Sequence, residues 1–563
     1  MRKSTGFALL SIFLIALFLR FLPLTRHLFW GADFGEYYFL TRDLVSNGHL
    51  ALPYYGWGFT YPYFPGMFIL GGILGSTSAS ISVSTALIPA FLAAFTVFPI
   101  FLMGRELYHE DAPGLIAAGI SAVALPAVYV TSHAMPGSIG ELLFIFCIFL
   151  FWKAHTKPKT YYLLYPASLA LVITHHLSAY FLIIVLVTAI FLREFVSKKS
   201  DVEKLRRSVV FVTFLVFMNF LYWIAYATPF RDVILSKVYL SWWGVILAFV
   251  LLMVVLFAII KLRRRIDWGY RPEYPRLKDR LSLMVVSFIG IYVIMAIIIL
   301  VAIPGTTVAL DASAAIFFTP LMIPIAVAMA GRRFSDFARK GYDLTSWFIA
   351  ILGSLVLGTL FASDVIVPYR HMQYMIAPMA LVAGFGITRM SGLFGVTKKK
   401  GKVMVGALVI ALLVALASTS YPPRKILAGH QEGIEAELVS CAQFSGLYAD
   451  GLIVSDHRAS TIIFGFGERN ATWDTAPDSL LADTFEDAVT EMREVNSPSG
   501  KKRVDYAVLD KDMEIGAMIY PWDPAHVMST EAIEKFDKSP YMKLYDNGYS
   551  RLYYVNWGLV QTG

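Results

Sequence analysis

Long apolar runs separated by short polar loops dominate the first three quarters of the chain. A transmembrane helix needs about 20 mostly apolar residues, and about thirteen runs approach that length. The predicted spans are 5–25, 81–103, 113–131, 137–153, 161–174, 178–193, 208–226, 241–261, 281–302, 311–330, 345–363, 372–389 and 403–419. The fifth and sixth are short and are separated only by Thr174-His175-His176. The pattern predicts a polytopic α-helical membrane protein.

Basic residues between the spans indicate which way the chain crosses the membrane. Five predicted loops on the side of Arg2 and Lys3 collect Lys and Arg residues, which is typical of cytoplasmic loops. We therefore expect the N-terminus inside and the alternate loops outside. The basic loop residues are Lys153, Lys157 and Lys159; Lys198, Lys199, Lys204, Arg206 and Arg207; Lys261 and Arg263 to Arg265; Arg332, Arg333 and Lys340; and Lys398 to Lys400 with Lys402.

Composition agrees with a membrane protein and argues against a nucleic-acid partner. Of the 563 residues, 57% are hydrophobic and 16% are charged, and the mean hydropathy is +0.62. Soluble domains are richer in charge. The formal charge of +8 comes from the basic loops, so membrane topology explains it better than nucleic-acid binding. No small-residue cleavage site follows the first apolar run, which we interpret as a retained span.

The chain changes character after the last predicted span. Residues 421–563 are charged, lack a run of membrane length and suffice for one globular domain, whereas residues 1–420 form the predicted transmembrane domain. Short β-type runs at 452–455 and 504–509 alternate with helix-like segments at 482–495 and 530–536, and 545–549 reads as a tight turn between strands. We predict an α/β domain on the extracytoplasmic side, where the sequon at Asn470 is open to glycosylation.

An acidic and aromatic stretch opens the long first outer loop, residues 26–79. In Phe-Trp-Gly-Ala-Asp-Phe-Gly-Glu-Tyr-Tyr, Asp33 and Glu36 are three residues apart, so a helix would place both carboxylates on one face beside Tyr37 and Tyr38. Trp57 adds another ring further along the loop. These residues suit a general base, a cation ligand or a platform for a sugar, and equally an interfacial aromatic loop.

Other candidate residues lie at the predicted outer ends of later spans. Glu141 falls about one turn inside the fourth span, where an ionisable group is costly and a functional role is the default hypothesis. His175 and His176 can bind phosphate, ligate a metal or cap a broken helix. A divalent cation, Mg²⁺ or Mn²⁺, held by Asp33, Glu36 and His175 is one such arrangement.

These features resemble those of the GT-C superfamily of membrane glycosyltransferases. Its members include protein O-mannosyltransferases, aminoarabinose transferases and oligosaccharyltransferase catalytic subunits. The resemblance rests on the Asp33-Phe34-Gly35-Glu36 motif in a long first outer loop, the odd number of spans and the outer C-terminal domain. It implies that Asp33 is the base or orients the acceptor, with Glu36 as its partner. Arg370, followed by His371, resembles the arginine that holds the donor phosphate, for which a guanidinium is well suited.

The resemblance also implies the partners. They are a polyprenyl-phosphate (dolichyl-phosphate type) sugar donor, a lipid, glycan or protein acceptor contacted by Tyr37, Tyr38, Trp57 or Glu141, and membrane lipids. Phosphate binding falls to Arg370, His371, His175 and His176. The Trp-Trp-Asp-Tyr-Gly signature of oligosaccharyltransferases is missing from the sequence, so glycosylation of protein sequons is not the expected activity.

The expected location is the cell membrane, with the C-terminal domain outside the cell. A different class, a multi-pass transporter or lipid flippase with Glu141 and the histidines along its path, is the main alternative. Transporters usually contain paired halves with matching broken helices, and the sequence has no such pairing. A third possibility is a catalytically idle scaffold of the same fold.

Overall fold

The structure, a computed structural model, is mainly helical. It describes residues 2–77, 80–196, 201–238, 254, 277–300, 307–308, 312–335, 341–361, 366, 370–390, 398–497 and 500–560. In the part predicted to span the membrane, the α-helices are Lys3–Phe21, Phe34–Asn47, Gly66–Thr77, Ile81–Ala94, Val97–Tyr108, Asp111–Val123, Leu125–Ser132, Pro136–Ala154, Tyr161–Thr174, His176–Val196, Val202–Leu221, Thr228–Val238, Leu277–Leu300, Ala312–Ser335, Gly341–Phe361, His371–Arg389 and Lys398–Ser418.

Every predicted span except 241–261 coincides with one of these helices or with a pair of them. Apart from Val254, that span lies outside the described residues, as do Lys198, Lys199, Lys261, Arg263 to Arg265 and Lys340. Within the described residues, eight helices are long and apolar enough to cross a membrane, or nine if one bent pair counts as a single span. The segment 161–174 is a helix of only 14 residues. The chain therefore has the helices of a multi-pass membrane protein.

The bent pair interrupts the predicted span 113–131. Helices Asp111–Val123 and Leu125–Ser132 meet at an angle of 51°. Pro126 lies in the first turn of the second helix, where it lacks an amide hydrogen to continue the preceding hydrogen-bond ladder. The bend brings Ser132 and His133 against the first-loop residues Trp30 and Gly31.

Small residues let the helices of the bundle approach closely. A Cβ at Gly384 would lie 2.4 Å from the carbonyl oxygen of Pro113, and one at Gly114 would lie 2.6 Å from that of Phe101. Such contacts between backbones are typical of helix packing in membranes. Around them, a continuous cluster of buried apolar side chains forms the core of the bundle.

The C-terminal part of the chain contains most of the β-structure. Strands β1 (Phe29–Trp30) and β2 (Gly433–Ile434) pair antiparallel, and β4 (Val495–Ser497) and β5 (Gly500–Lys502) form a small hairpin. The main sheet has the order β3-β6-β8-β7, formed by β3 (Leu452–Val454), β6 (Val504–Asp510), β7 (Tyr541–Asp546) and β8 (Ser550–Val555). Its helices are Ala436–Tyr448, His457–Gly467, Pro477–Leu481, Phe485–Arg493, Lys511–Gly516 and Thr530–Glu534.

Most of these elements follow the sequence prediction. The β-type runs form β3 and β6, which pair parallel, and the predicted tight turn connects β7 to β8. Gly548 in that turn has a φ of 84°, a left-handed conformation that suits glycine. The predicted helix 482–495 is shorter, Phe485–Arg493, because its last residues enter the β4 strand.

The first loop contains a strand and helices, and it packs against the C-terminal part of the chain. Its helix Phe34–Asn47, called here the first-loop helix, lies against the helix His457–Gly467, called here the docking helix. Phe29 and Phe34 belong to the same buried apolar cluster as Ile462 and Leu509. Residues far apart in sequence therefore share one hydrophobic core at the end of the bundle.

Candidate active site

Asp33 lies where the first loop turns from β1 into the first-loop helix. Gly31 has a φ of 119°, which a residue with a Cβ rarely adopts, and this turn places Asp33 at the N-cap position. An aspartate there usually accepts from the first free amides of the helix, but Asp33 makes no such cap hydrogen bond within the described chain. Its side chain, 31% exposed, instead reaches away from the helix.

Two side chains hold the Asp33 carboxylate. Oδ1 accepts a hydrogen bond from Nε2 of His457 at 2.9 Å, and Oδ2 accepts a longer one from the Tyr37 hydroxyl at 3.3 Å. The exposed fraction of Asp33 leaves the carboxylate accessible from one side. This is a carboxylate of fixed direction that can still meet a substrate.

His457 is a site residue that the sequence analysis did not identify. Its side chain is fully buried at the start of the docking helix, and its ring meets the Trp57 ring edge-on at 4.6 Å between centroids. Burial opposes protonation, but the hydrogen bond and the charge of Asp33 outweigh it, so the pKa of His457 is raised. A signal was present in the sequence, since this histidine follows a predicted strand end, but nothing there pairs it with Asp33.

Close backbone contact explains why the first-loop helix and the docking helix keep their register. A Cβ at Gly35 would lie 2.0 Å from the carbonyl oxygen of Thr461, and one at Gly465 would lie 2.2 Å from the carbonyl oxygen of Gly35. The Thr461 hydroxyl also donates to the carbonyl of Ala32 at 2.7 Å. The glycine of the Asp-Phe-Gly-Glu motif is thus a packing residue that brings Asp33 within reach of His457.

Glu36 has an environment unlike that of Asp33. It is fully buried, and its Oε1 accepts from the Tyr54 hydroxyl at 2.9 Å and from the Gly58 amide at 2.8 Å. Oε2 has no hydrogen-bond partner among the described residues. Burial, with a smaller effect of the Asp33 charge, raises the pKa of Glu36 to about 7. Asp33 is the N-cap and Glu36 lies in the first turn of the same helix, and the hydrogen bonds of Glu36 hold the segment 54–58.

The aromatic candidates divide between the site and the packing around it. Trp57 donates from its indole nitrogen to Asp474 at 3.0 Å and covers His457. Tyr37 contacts Asp33. Tyr38 stacks on Phe466 with ring centroids 4.3 Å apart, so it joins the first-loop helix to the docking helix.

Arg370 and two predicted histidines meet at the same end of the bundle. Nη1 of Arg370 donates to the sulfur of Met135 at 3.8 Å, and its charge acts on both His175 and His176. The His175 and His176 rings are 5.3 Å apart. The structure therefore forms a basic group from residues of three different helix ends.

Tyr61 connects this basic group with Asp33. Its ring packs against Tyr37 with centroids 5.1 Å apart. Burial and then the negative charges of Asp33 and Glu36 raise the pKa of Tyr61, whereas the positive charge of Arg370 lowers it. The charges of Asp33 and Arg370 thus both act on the Tyr61 side chain.

The histidines have additional contacts inside the bundle. Nδ1 of His175 hydrogen bonds with the Ser178 hydroxyl at 2.8 Å. His176 packs on Phe230 with ring centroids 4.5 Å apart. His371 is fully buried and its Nε2 hydrogen bonds with Ser354 at 2.8 Å, so it points into the bundle.

Glu141 lies deeper, among the helices. It is 2% exposed and accepts a hydrogen bond from the Gln373 amide at 2.6 Å. Arg20, also buried, is close enough for its charge to act on Glu141 and donates to the Thr131 hydroxyl at 2.9 Å. The charges of Glu141 and Arg370 both act on Tyr374, so this patch of polar residues lies near Arg370.

The structure gives no support for the suggested cation site. In the described ranges, no three His, Cys, Asp or Glu side chains come together closely enough to hold a metal ion. Asp33, Glu36 and His175 therefore do not form a ligand set. Asp33 pairs with His457 instead, and the buried carboxylate of Glu36 holds Tyr54 and Gly58.

Comparison by sequence finds no match, since no protein-family model and no curated protein matches this chain. Comparison by structure does. The oligosaccharyltransferase AglB of Archaeoglobus fulgidus, solved with an inhibitory peptide and a dolichol-phosphate, superposes with a TM-score of 0.60 at 14% identity, over 91% of this chain and 70% of that one.

Two other solved glycosyltransferases are similar. ArnT of Cupriavidus metallidurans, solved with undecaprenyl phosphate, has a TM-score of 0.50 at 11% identity, over 98% of each chain. The mycobacterial arabinofuranosyltransferase AftD has a TM-score of 0.51 at 12% identity, over 98% of this chain and 41% of that one. All three are GT-C glycosyltransferases, and the chain described here has the GT-C fold.

Proposed function

We propose that this protein is a membrane glycosyltransferase that moves a sugar from a polyprenyl-phosphate donor, of the dolichyl-phosphate type, to an acceptor hydroxyl. The observation that carries the proposal is the arrangement around Tyr61. Asp33 is an accessible, oriented carboxylate, and its negative charge and the positive charge of Arg370 both act on Tyr61, while the charge of Arg370 also acts on His175. A base and an anion-binding group that both act on one side chain suit transfer away from a phosphate.

The proposed reaction is a single displacement. The acceptor oxygen forms a bond to the anomeric carbon while the bond from that carbon to the phosphate oxygen breaks, and the lipid phosphate leaves with the electron pair. Asp33 accepts the proton of the acceptor hydroxyl. Arg370 holds the phosphate oxygens, and His175 and His176 line the same place. Inversion at the anomeric carbon is the expectation for one displacement.

The donor class is supported by fold and by charge. AglB and ArnT were solved with polyprenyl phosphates, and both share this fold. Arg370 supplies the planar group that binds phosphate oxygens in pairs. The acceptor class, whether lipid, glycan or protein, stays open. AglB is an oligosaccharyltransferase solved with an inhibitory peptide, but the missing Trp-Trp-Asp-Tyr-Gly signature argues against oligosaccharyltransferase activity here.

The proposal includes a membrane side. With the basic loops inside, the end of the bundle that carries Asp33, Arg370 and residues 421–563 faces outward. The protein would then sit in the cell membrane as about thirteen spans, residues 1–420, with an extracellular C-terminal domain. The buried pairing of β1 with β2 supports placing the first loop and residues 421–563 on one side.

The test is sugar transfer by the purified full-length protein in lipid, with a panel of radiolabelled polyprenyl-phosphate sugars. Asp33→Asn keeps the shape and the His457 hydrogen bond but loses the base, so we expect transfer to fall roughly 10²- to 10⁴-fold. Donor binding should persist. A matched control is Asp43→Asn, which alters a carboxylate in the same helix that bonds Asn47 and the Ala51 amide instead.

The wild-type protein could instead transfer no sugar from any donor and move a lipid or solute across the membrane of sealed vesicles. That result would overturn this proposal and favour a transporter or lipid flippase. Full activity of Asp33→Asn would remove Asp33 from the reaction and leave the base unidentified. Loss of activity in Asp43→Asn to the same degree would point to damage of the first-loop helix rather than loss of a base.

A further inference from the structure

We propose that His457 is a positioning residue for Asp33, by which the C-terminal part of the chain sets the direction of the catalytic carboxylate. This inference rests on the proposed function. His457 is 424 positions from Asp33 in the sequence, and its Nε2 lies 2.9 Å from Oδ1. The carboxylate would therefore be correctly aimed only when the docking helix is seated on the first-loop helix.

The first-loop helix does not orient Asp33 by itself. Asp33 occupies the N-cap position without making the usual bond to the helix amides. The bond from Tyr37 is long, at 3.3 Å. An aspartate side chain without a cap has several rotamers available, so its direction needs another donor.

The backbone and the ring of His457 are themselves held in place. Its amide donates to the Met518 carbonyl at 2.8 Å, and the preceding Asp456 caps the docking helix by accepting from Ala459 at 2.8 Å. The imidazole is fully buried between the rings of Trp57 and Trp473, at centroid distances of 4.6 and 6.3 Å. A ring held in this way transfers its position to the group that it bonds.

The two ring nitrogens of His457 differ in their hydrogen bonds. Nδ1 of His457 is buried and has no hydrogen-bond partner among the described residues. Donation from Nε2 to Asp33 requires a proton on Nε2, which both the neutral Nε2–H ring and the protonated ring supply. Among the described residues, the one hydrogen bond of the His457 side chain is therefore the bond to Asp33. Asp474 and Glu36 also act on the ring by charge, but neither bonds it.

A purely structural explanation is that His457 simply fastens the C-terminal part to the first loop. Another histidine does so without touching Asp33, since Nδ1 of His27 lies 2.6 Å from Oε1 of Glu435. His27→Ala is therefore the matched control. It removes a fastening contact of the same chemistry between the same two parts of the chain.

The experiment measures kcat and donor KM for wild type, His457→Ala, His457→Gln and His27→Ala in lipid. We expect His457→Ala to lower kcat by about 100-fold with little change in KM, because a misdirected base slows the chemical step. Gln places an amide N–H near the position of Nε2, so His457→Gln should recover most of that loss. His27→Ala should stay close to wild type in kcat.

A double-mutant cycle of Asp33→Asn and His457→Gln, with the single variants, is read both in kcat and in melting temperature. Coupling in both supports positioning. If wild type is active but His457→Ala matches it, or if His27→Ala loses as much activity, the positioning role is wrong and the glycosyltransferase proposal stands. If wild type transfers no sugar, both fail, and coupling in the melting temperature alone assigns His457 to fastening.

Discussion

Two regions of this molecule hold buried or half-buried carboxylates, and they differ in what surrounds them. At the end of the bundle, Asp33 is 31% exposed and receives one oriented bond from His457. Inside the bundle, Glu141 is 2% exposed, and Gln373 donates to it at 2.6 Å. Both carboxylates are held by hydrogen bonds, but that of Asp33 is partly exposed to solvent and that of Glu141 is buried.

A buried ionisable residue in a membrane protein can serve function or structure. A charge among transmembrane helices suggests function by default because burial is costly. Glu141, however, is bonded by Gln373 and has Arg20 nearby, and such polar contacts are consistent with holding helices together. Access to substrate, rather than the presence of a charge, separates the two regions.

The largest expected effect comes from separating the elements that build the region around Asp33. Gly35→Ala places a methyl group 2.0 Å from the Thr461 carbonyl oxygen, a backbone atom that cannot step aside. We expect a loss of about 3 kcal/mol in the free energy of unfolding and a strong loss of transfer. Melting temperature and transfer rate are the measurements.

Gly353→Ala is the control within the bundle, because a Cβ there meets nothing within 4 Å. That variant should match or exceed the wild-type melting temperature, since alanine favours helix over glycine by about 1 kcal/mol. Equal losses from both variants would mean that the close approach at Gly35 has no special role.

The next largest effect is expected at Arg370, the proposed phosphate-binding residue. Arg370→Lys keeps the charge but loses the planar pair of donors, so kcat/KM for the donor should fall about 10- to 100-fold, as expected for losing a charged hydrogen bond. Arg389→Lys, near the other end of the same helix, alters an arginine that pairs with Glu110 at 2.8 Å and should leave kcat/KM unchanged. Unaltered activity of Arg370→Lys would remove bidentate phosphate binding from the mechanism.

A third prediction separates Glu36 from its neighbour by pH. Its pKa of about 7 lies above the ordinary value of 4.5, so the folded protein favours the protonated carboxyl. Stability is therefore lost as pH rises from about 4.5 to about 7 and stays lower above that, by up to about 3 kcal/mol. Glu36→Gln cannot ionise and should escape this loss.

The measurement is the melting temperature of wild type and Glu36→Gln between pH 4.5 and pH 8. The difference should move in favour of the variant as pH rises. A difference that stays constant across this range would show that Glu36 ionises as easily in the folded protein as in the unfolded chain.

The smallest effect on transfer is expected in the region around Glu141. Glu141→Gln keeps an oxygen for the Gln373 amide but removes the charge opposite Arg20, so the melting temperature should fall. Transfer per folded protein should remain within about threefold of wild type, because Glu141 is only 2% exposed and Gln373 already bonds it. A loss as large as that of Asp33→Asn would break the comparison and place Glu141 in the reaction.

Much of the helical layout could be predicted from the sequence. Spans such as 137–153 and 372–389 became helices with nearly the same ends, because a continuous apolar run must satisfy its backbone groups internally in lipid. The Asp-Phe-Gly-Glu motif also directed attention to Asp33. The sequence did not reveal that Gly35 is a packing residue, since the backbone that crowds it belongs to Thr461.

Local pattern and long-range contact thus determined different things. The sequence by itself specified a polytopic helical protein, its strands in the C-terminal part and an acidic motif after the first span, because hydrophobic period and turn chemistry act over a few residues. The folded structure was needed to show that Asp33 meets His457, that Glu36 is buried and that the charge of Arg370 acts on His175. Those partners lie up to 424 residues apart, and only packing brings them together.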